Sequence, residues 1–175
     1  MPARHTHDPT PHGPNAGTGI PHAPAPAQAE PPWSIVHVLA YGTVLLPTLM
    51  AGFLWFLGPA QQSFLTNALL THMALVLTYL GGIHWGIAMR YMATDSRIPM
   101  FHFLWGPVPG YTAWLLLMTS PQIAVACLMV LGLATFWVDL RTWPGSGLGP
   151  WMPLRRVFAA GTLICGGIAL LALSL

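Results

Sequence analysis

Five predominantly apolar runs follow a polar, proline-rich beginning, at about 35–57, 64–89, 100–118, 123–140 and 157–173. Each is close to the roughly 20 residues a helix needs to cross the hydrocarbon core of a bilayer. The breaks between them carry turn chemistry. Gly58-Pro59-Ala60-Gln61-Gln62-Ser63 separates the first run from the second, and Thr119-Ser120-Pro121-Gln122 the third from the fourth. Pro and Gly end helices, and Gln, Ser and Thr suit an interface. Within hydrocarbon every backbone N–H and C=O must pair internally, so each run reads as a helix. The pattern predicts an all-α integral membrane bundle of five transmembrane helices over 35–175, preceded by a separate tail at 1–34.

Composition supports the membrane reading. The chain is 54% hydrophobic and 6% charged, where a soluble domain is about 25% charged. Its charges are six arginines and four acids, with no lysine. A net charge of +2 gives no basic field and excludes a nucleic-acid binder of the usual kind. The lipid bilayer is the first partner. Spacing matters more than number: 59 uncharged residues separate Glu30 from Arg90, 41 separate Arg97 from Asp139, and 19 follow Arg156. With five spans, every arginine falls on the face that holds the tail and the 90–99 and 141–156 loops. Positive-inside counting then puts the N-terminus on the cytoplasmic or matrix side and the C-terminus opposite.

The tail holds nine of the 18 prolines and four of the eight histidines, His5, His7, His12 and His22. It lacks the apolar residues to build a core and reads as extended and disordered on its own. It has no signal-peptide pattern and is a poor transit peptide, so the first span is expected to act as an uncleaved insertion signal. Its histidines match no standard metal spacing, and no metal site is expected. Lacking a fold of its own, the tail is expected to dock on partner subunits. Cys127 and Cys165 lie within spans and read as small buried hydrophobes.

Candidate chemistry gathers at the arginine-bearing face. Span two carries Gly81-Gly82-Ile83-His84-Trp85-Gly86. Gly82 and Gly86 form a small-xxx-small pair suited to close helix packing. His84 lies six residues from Arg90, roughly 9 Å below the interface, where a histidine needs a partner. His37 and His102 open spans one and three at the same face. Arg90, Asp139, Arg141, Arg155 and Arg156 form an interfacial charge cluster there, with Arg155 and Arg156 preceding span five. Trp33, Trp85, Trp105, Trp137, Trp143 and Trp151 lie nearby. One reading is an interfacial belt with an Asp139–arginine pair locking helix ends. The other is a cofactor site, in which His84 with His37 or His102 binds haem, a bacteriochlorophyll-type pigment or a quinone. His72 belongs to the opposite leaflet, where Ala68-xxx-His72 could seat a pigment ring. Gly106-Pro107-Val108-Pro109-Gly110 must kink or interrupt span three.

The Gly-Gly-Ile-His-Trp-Gly string, Pro109 and Trp114 in span three, Asp139, and Pro150-Trp151 followed by Leu154-Arg155 resemble the transmembrane protein 69-like family. That family is a five-helix membrane domain of unknown function. The resemblance covers about 35–175 and implies a bacterial inner-membrane or mitochondrial inner-membrane location. It supplies no catalytic residues. The leading functional expectation is a non-catalytic accessory or assembly subunit of a larger membrane complex, respiratory or photosynthetic. The cofactor-binding protein comes second. A small transporter comes third, since no paired acid–base relay is evident in mid-membrane. Enzyme chemistry is disfavoured, because no nucleophile–base pair is present.

Overall fold

The computed structural model describes residues 32–92 and 100–175. Nearly all of the tail expected at 1–34, with its four histidines and its docking role, lies outside the described residues, as do Asp95 and Arg97. The described residues form six α-helices and no strand: α1 (Trp33–Phe53), α2 (Pro59–Met92), α3 (Met100–Trp105), α4 (Val108–Leu116), α5 (Pro121–Thr142) and α6 (Met152–Ser174). Short 3-10 turns follow α1 at Leu54–Phe56 and precede α6 at Pro144–Ser146 and Gly149–Trp151. Four of the helices, counting α1 with its 3-10 extension, are long and apolar enough to cross a membrane.

The third expected span differs from a single helix. At 100–118 the chain forms α3 and α4, of six and nine residues, interrupted at Gly106-Pro107. Neither piece spans a bilayer alone. The other boundaries move outward. The prolines read as breakers at 59 and 121 instead sit at or next to the first helical position, where a missing N–H is harmless. The first helical bonds run from Gln62 N–H to the Gly58 carbonyl and from Ala124 N–H to the Ser120 carbonyl, both 2.9 Å. α2 is therefore 34 residues, or about 50 Å. Likewise α6 starts at Met152, so Arg155 and Arg156 lie inside its first turns and not before it.

Side-chain register fixes how the helices run. On α3–α4, His102 meets His84, Gly106 meets Gly81 and Gly110 meets Thr78. One number rises as the other falls, so the two short helices pass antiparallel along α2, end to end. Asp139 meets His84 and Gly132 meets Leu77 at a constant offset, so α5 is parallel to α2. Gly166 meets Met129 and Gln122 meets Leu173, so α6 is antiparallel to α5. Val44 meets Gly161 and Trp33 meets Trp151, so α1 is parallel to α6.

The interior is layered. Leu54, Leu69, Leu70, Met73, Leu77, Val125, Leu128, Cys165 and Ala169 form an apolar plug in the half of the bundle away from the arginines. A smaller cluster of Ile87, Trp143 and Met152 closes the arginine end. The outer surface is largely apolar: Val38, Phe64, Tyr79 and Val130 are all exposed. Such a surface suits lipid and not water.

Two prolines create gaps that α2 fills. Pro47, inside α1, has no N–H to give the Thr43 carbonyl four residues back. His72 of α2 donates Nε2–H to that carbonyl at 3.1 Å. Pro107 likewise leaves the Phe103 carbonyl without its helical donor, and Trp85 of α2 donates its indole N–H there at 3.0 Å. The pigment seat expected at Ala68 and His72 is thus a backbone repair, with the His72 Nε2 already committed.

Among the described residues, close helix approach falls at Gly81 and Gly106, next to the expected pair Gly82 and Gly86. Among the same residues a Cβ on Gly82 or Gly86 would meet nothing within 4 Å. A Cβ on Gly81 would press into the Gly106 carbonyl oxygen, and one on Gly106 into the Trp85 indole. Within this chain, Gly81 and Gly106 are where α2 and the break approach. Gly81→Ala should destabilise by roughly 1–3 kcal/mol through overpacking, and Gly82→Ala should change stability by less than about 0.5 kcal/mol. Thermal unfolding in detergent distinguishes the two. In the same assay His72→Leu should cost about 1–3 kcal/mol by orphaning the Thr43 carbonyl. Adding Pro47→Ala returns a backbone donor to that carbonyl and should recover most of the loss.

Candidate functional site

Helical periodicity carries polar groups to the same interior face as the apolar core. On α2 the buried stripe runs Leu77, Leu80, Gly81, His84, Ile87 and Ala88. On α5 it runs Leu128, Gly132, Thr135 and Asp139. On α6 it runs Met152, Arg155 and Ala159. The spacings of three and four mark one face of a helix. Polar residues occupy the arginine-side ends of these stripes, so they meet in one layer when the stripes pack.

The result is a continuous hydrogen-bonded chain across four helices. His102 Nδ1 lies 2.8 Å from His84 Nδ1. His84 Nε2 donates to Asp139 Oδ1 at 2.9 Å. Arg155 Nε donates to Asp139 Oδ2 at 2.5 Å, and its Nη2 donates to Thr135 Oγ1 at 3.0 Å. The Thr135 hydroxyl passes its own hydrogen to the Gly132 carbonyl at 2.8 Å. His84, Asp139 and Arg155 are each no more than 2% exposed. Phe101 meets the His84 ring edge-on, and the Arg155 guanidinium lies over Phe136 at 5.5 Å.

Proton counting constrains this chain. Both Asp139 oxygens accept, so His84 must carry hydrogen on Nε2. The Nδ1···Nδ1 contact needs one hydrogen between two nitrogens. Either His102 donates to a neutral His84, or a doubly protonated His84 donates to His102. The pair therefore holds one shared proton, and a proton added at His102 Nε2 can appear at His84 by a shift along the contact. Asp139 and Arg155 balance each other's charge.

These bonds bear on the expected cofactor site. Both His84 nitrogens are engaged, leaving no lone pair for an iron or magnesium bond. His37 does not join His84. Its Nδ1–H donates to the Trp33 carbonyl at 2.7 Å, and its ring stacks on Tyr41. His102 does join His84, as expected. No group of three or more His, Cys, Asp or Glu among the described residues is arranged to hold a metal ion. The interfacial charge cluster also separates. Asp139 pairs with Arg155 alone among the five residues, in the buried layer. Arg141 lies over the Trp137 ring at 4.7 Å, Arg156 is exposed, and Arg90 lies near Gly147. Thr135 was not legible as a participant, although its place four residues before Asp139 puts it on the same face.

Helices with lipid-suited exteriors and an internal ionisable chain define a polytopic α-helical membrane protein. Within that class, the chain belongs to the family described as protein of unknown function (DUF3429), which it matches over residues 32–171. No curated protein and no solved structure matches the chain.

Charge balance makes the layer sensitive to single deletions. Asp139→Ala leaves the Arg155 guanidinium buried without its counter-ion and should destabilise by roughly 3–5 kcal/mol. The double variant Asp139→Leu with Arg155→Met removes both charges and should lose clearly less than the single one. Denaturant unfolding in detergent micelles compares them.

Proposed function

We propose that this chain is a non-catalytic accessory subunit of a larger membrane assembly, and that its buried polar chain clasps the helices in the shape its partners recognise. The observation that carries the reading is a set of unused glycines. Gly42, Gly52, Gly82, Gly86 and Gly167 lie in helices, yet among the described residues a Cβ on any of them would meet nothing within 4 Å. A helical glycine costs about 1 kcal/mol relative to alanine, and no contact among the described residues accounts for these. Close approach of a helix from another subunit accounts for Gly82 and Gly86, one turn apart beside the exposed Trp85.

The polar chain favours this reading over a transporter. It ends at Thr135 and the Gly132 carbonyl. Beyond it the apolar plug around Leu77, Leu128 and Cys165 fills the other half of the bundle. An ion or proton entering at His102 has no polar route through that plug.

Five membrane crossings belong to the same proposal. α3 and α4 in series form the third, and the alternating register of the helices supports it. Arginine counting then sets the N-terminus on the cytoplasmic or matrix side of a bacterial or mitochondrial inner membrane. The likeness to the transmembrane protein 69-like family supports that location. His84, Asp139 and Arg155 all lie in the strings that carry the likeness. A respiratory or photosynthetic complex is the assembly expected.

Blue-native electrophoresis of gently solubilised membranes tests the assignment. The chain should migrate with a larger complex, and Gly82→Leu with Gly86→Leu should release it while leaving its thermal unfolding unchanged. Migration as a lone chain from native membranes would overturn the reading.

A further inference from the structure

Near its C-terminal end α2 borders a cavity with an exposed cation at its mouth. The cavity, of about 270 Å³, lies between α2 and the turn that joins α5 to α6. Ile83, Gly86, Ile87 and Arg90 line it from α2, and Ser146 and Leu148 from the turn. Sites that enclose a small ligand hold roughly 300–1,000 Å³. This one is smaller, so it takes part of a ligand and leaves the rest outside.

Its polarity runs along the helix axis. Arg90 stands at the outer end, and Ile83 lies seven residues back along α2, about 10 Å deeper. Ile87 and Leu148 are walls between them, and among the described residues a Cβ on Gly86 would meet nothing within 4 Å, so the floor there is bare backbone. On the turn, Gly147 has a φ of +78°, a left-handed conformation that favours glycine, and the Arg90 Nη1 lies 3.6 Å from where its Cβ would stand. Tyr91 donates its hydroxyl to the Gly145 carbonyl at 3.3 Å, which ties the same turn to α2. The Ser146 hydroxyl gives its hydrogen to the Thr142 carbonyl at 2.9 Å, so toward a ligand it is an acceptor only. The side-chain donors of this cavity are those of Arg90.

Charge selects an anion. Asp139, the one acid among the described residues, is buried and paired with Arg155. Arg90, Arg141 and Arg156 are exposed at the same end of the bundle, so the described surface there is positive. A guanidinium carries five N–H donors in a planar fork that matches a phosphate. Arg90 can therefore donate to a phosphate oxygen while keeping a contact within the chain. A free phosphate would leave the Ile83 and Ile87 walls uncovered. A lipid without net charge would gain less from a positive surface.

We infer that this cavity binds an anionic phospholipid, with the phosphate on Arg90 and the first carbons of one acyl chain over Ile87 and Ile83. The rest of the lipid lies in the surrounding leaflet, which accounts for the small volume. The inference does not depend on the accessory-subunit reading, since it concerns the isolated chain. The two use adjoining surfaces of α2, and Gly82 does not line the cavity.

The test is native mass spectrometry of the purified full-length chain in detergent, with phosphatidylglycerol and phosphatidylcholine of identical acyl chains added at equal concentration. The parent chain should bind phosphatidylglycerol the more tightly. Arg90→Gln should weaken that binding about fivefold, the effect of one arginine beside a lipid surface. Gly86→Leu keeps every charge but fills the floor, and should weaken it at least as much. Arg156→Gln removes an exposed arginine outside the cavity and should leave the affinity nearly unchanged. All three variants should keep the unfolding temperature of the parent chain. Equal affinity for the two lipids would overturn the inference, as would equal loss in Arg90→Gln and Arg156→Gln or unchanged binding in Gly86→Leu. So would full displacement of phosphatidylglycerol by equimolar inorganic phosphate, which would mark a site for the free anion.

Discussion

Pro47 and Pro107 each delete a backbone N–H within helical segments of a bundle whose exterior is apolar. In water the orphaned carbonyls would find solvent. In hydrocarbon each unpaired group costs several kcal/mol, so a donor must come from the protein. Both donors come from α2, as His72 for the Thr43 carbonyl and Trp85 for the Phe103 carbonyl. α2 also contributes His84 to the buried polar layer. The longest helix is thus the common support against which an imperfect α1, a broken α3–α4 and α5 are completed. The interrupted hydrogen bonds persist because α2 satisfies what the prolines break.

The polar layer obeys the same requirement at higher stakes. Four helices contribute one link each, and every link uses the ring nitrogen or carboxylate oxygen that its neighbour needs. A half-satisfied network of this kind is worse than an apolar core. Its placement follows from the stripes: the interior positions of α2, α5 and α6 that are apolar through the plug become polar at one end. The layer is therefore continuous with the core and shares its rigidity.

Much of this was legible in the chain itself. Charge-free runs gave the helices, and Gly106-Pro107 announced the broken third segment. His84 was recognisable because a histidine so far from the interface needs a partner, and Asp139 and His102 were among those considered. What sequence spacing could not decide was rotation. Gly82 and Gly86 look like the packing face by motif, yet Gly81 and His84 face inward, and only the neighbours of α2 determine that. The helix starts were missed for a related reason. Pro59 and Pro121 read as breakers, but a proline at or beside the first helical position begins a helix as readily as a proline inside one interrupts it. The expected Asp139–arginine pair is present, but proximity along a shared interface does not say which arginine turns toward Asp139. Arg155 turns inward to Asp139, while Arg141 lies across Trp137.

Arg155 belongs to two environments at once, and this ties them together. Its Nε and Nη2 hold the polar layer through Asp139 and Thr135, and the same side chain is a wall of the cavity between α1, α2 and α6. A guanidinium is planar and its donors are fixed relative to one another. Any shift of Asp139 that turns the fork to preserve its bond also moves the side chain that lines the groove. The shared proton between His84 and His102 acts on Asp139 through His84 Nε2, so it lies two hydrogen bonds from Arg155. The polar layer and the groove between α1, α2 and α6 therefore share one rigid side chain. Both sit in the arginine-bearing half, with the apolar plug around Leu77 and Leu128 behind them, so the polar groups of the interior are confined to one end of the bundle.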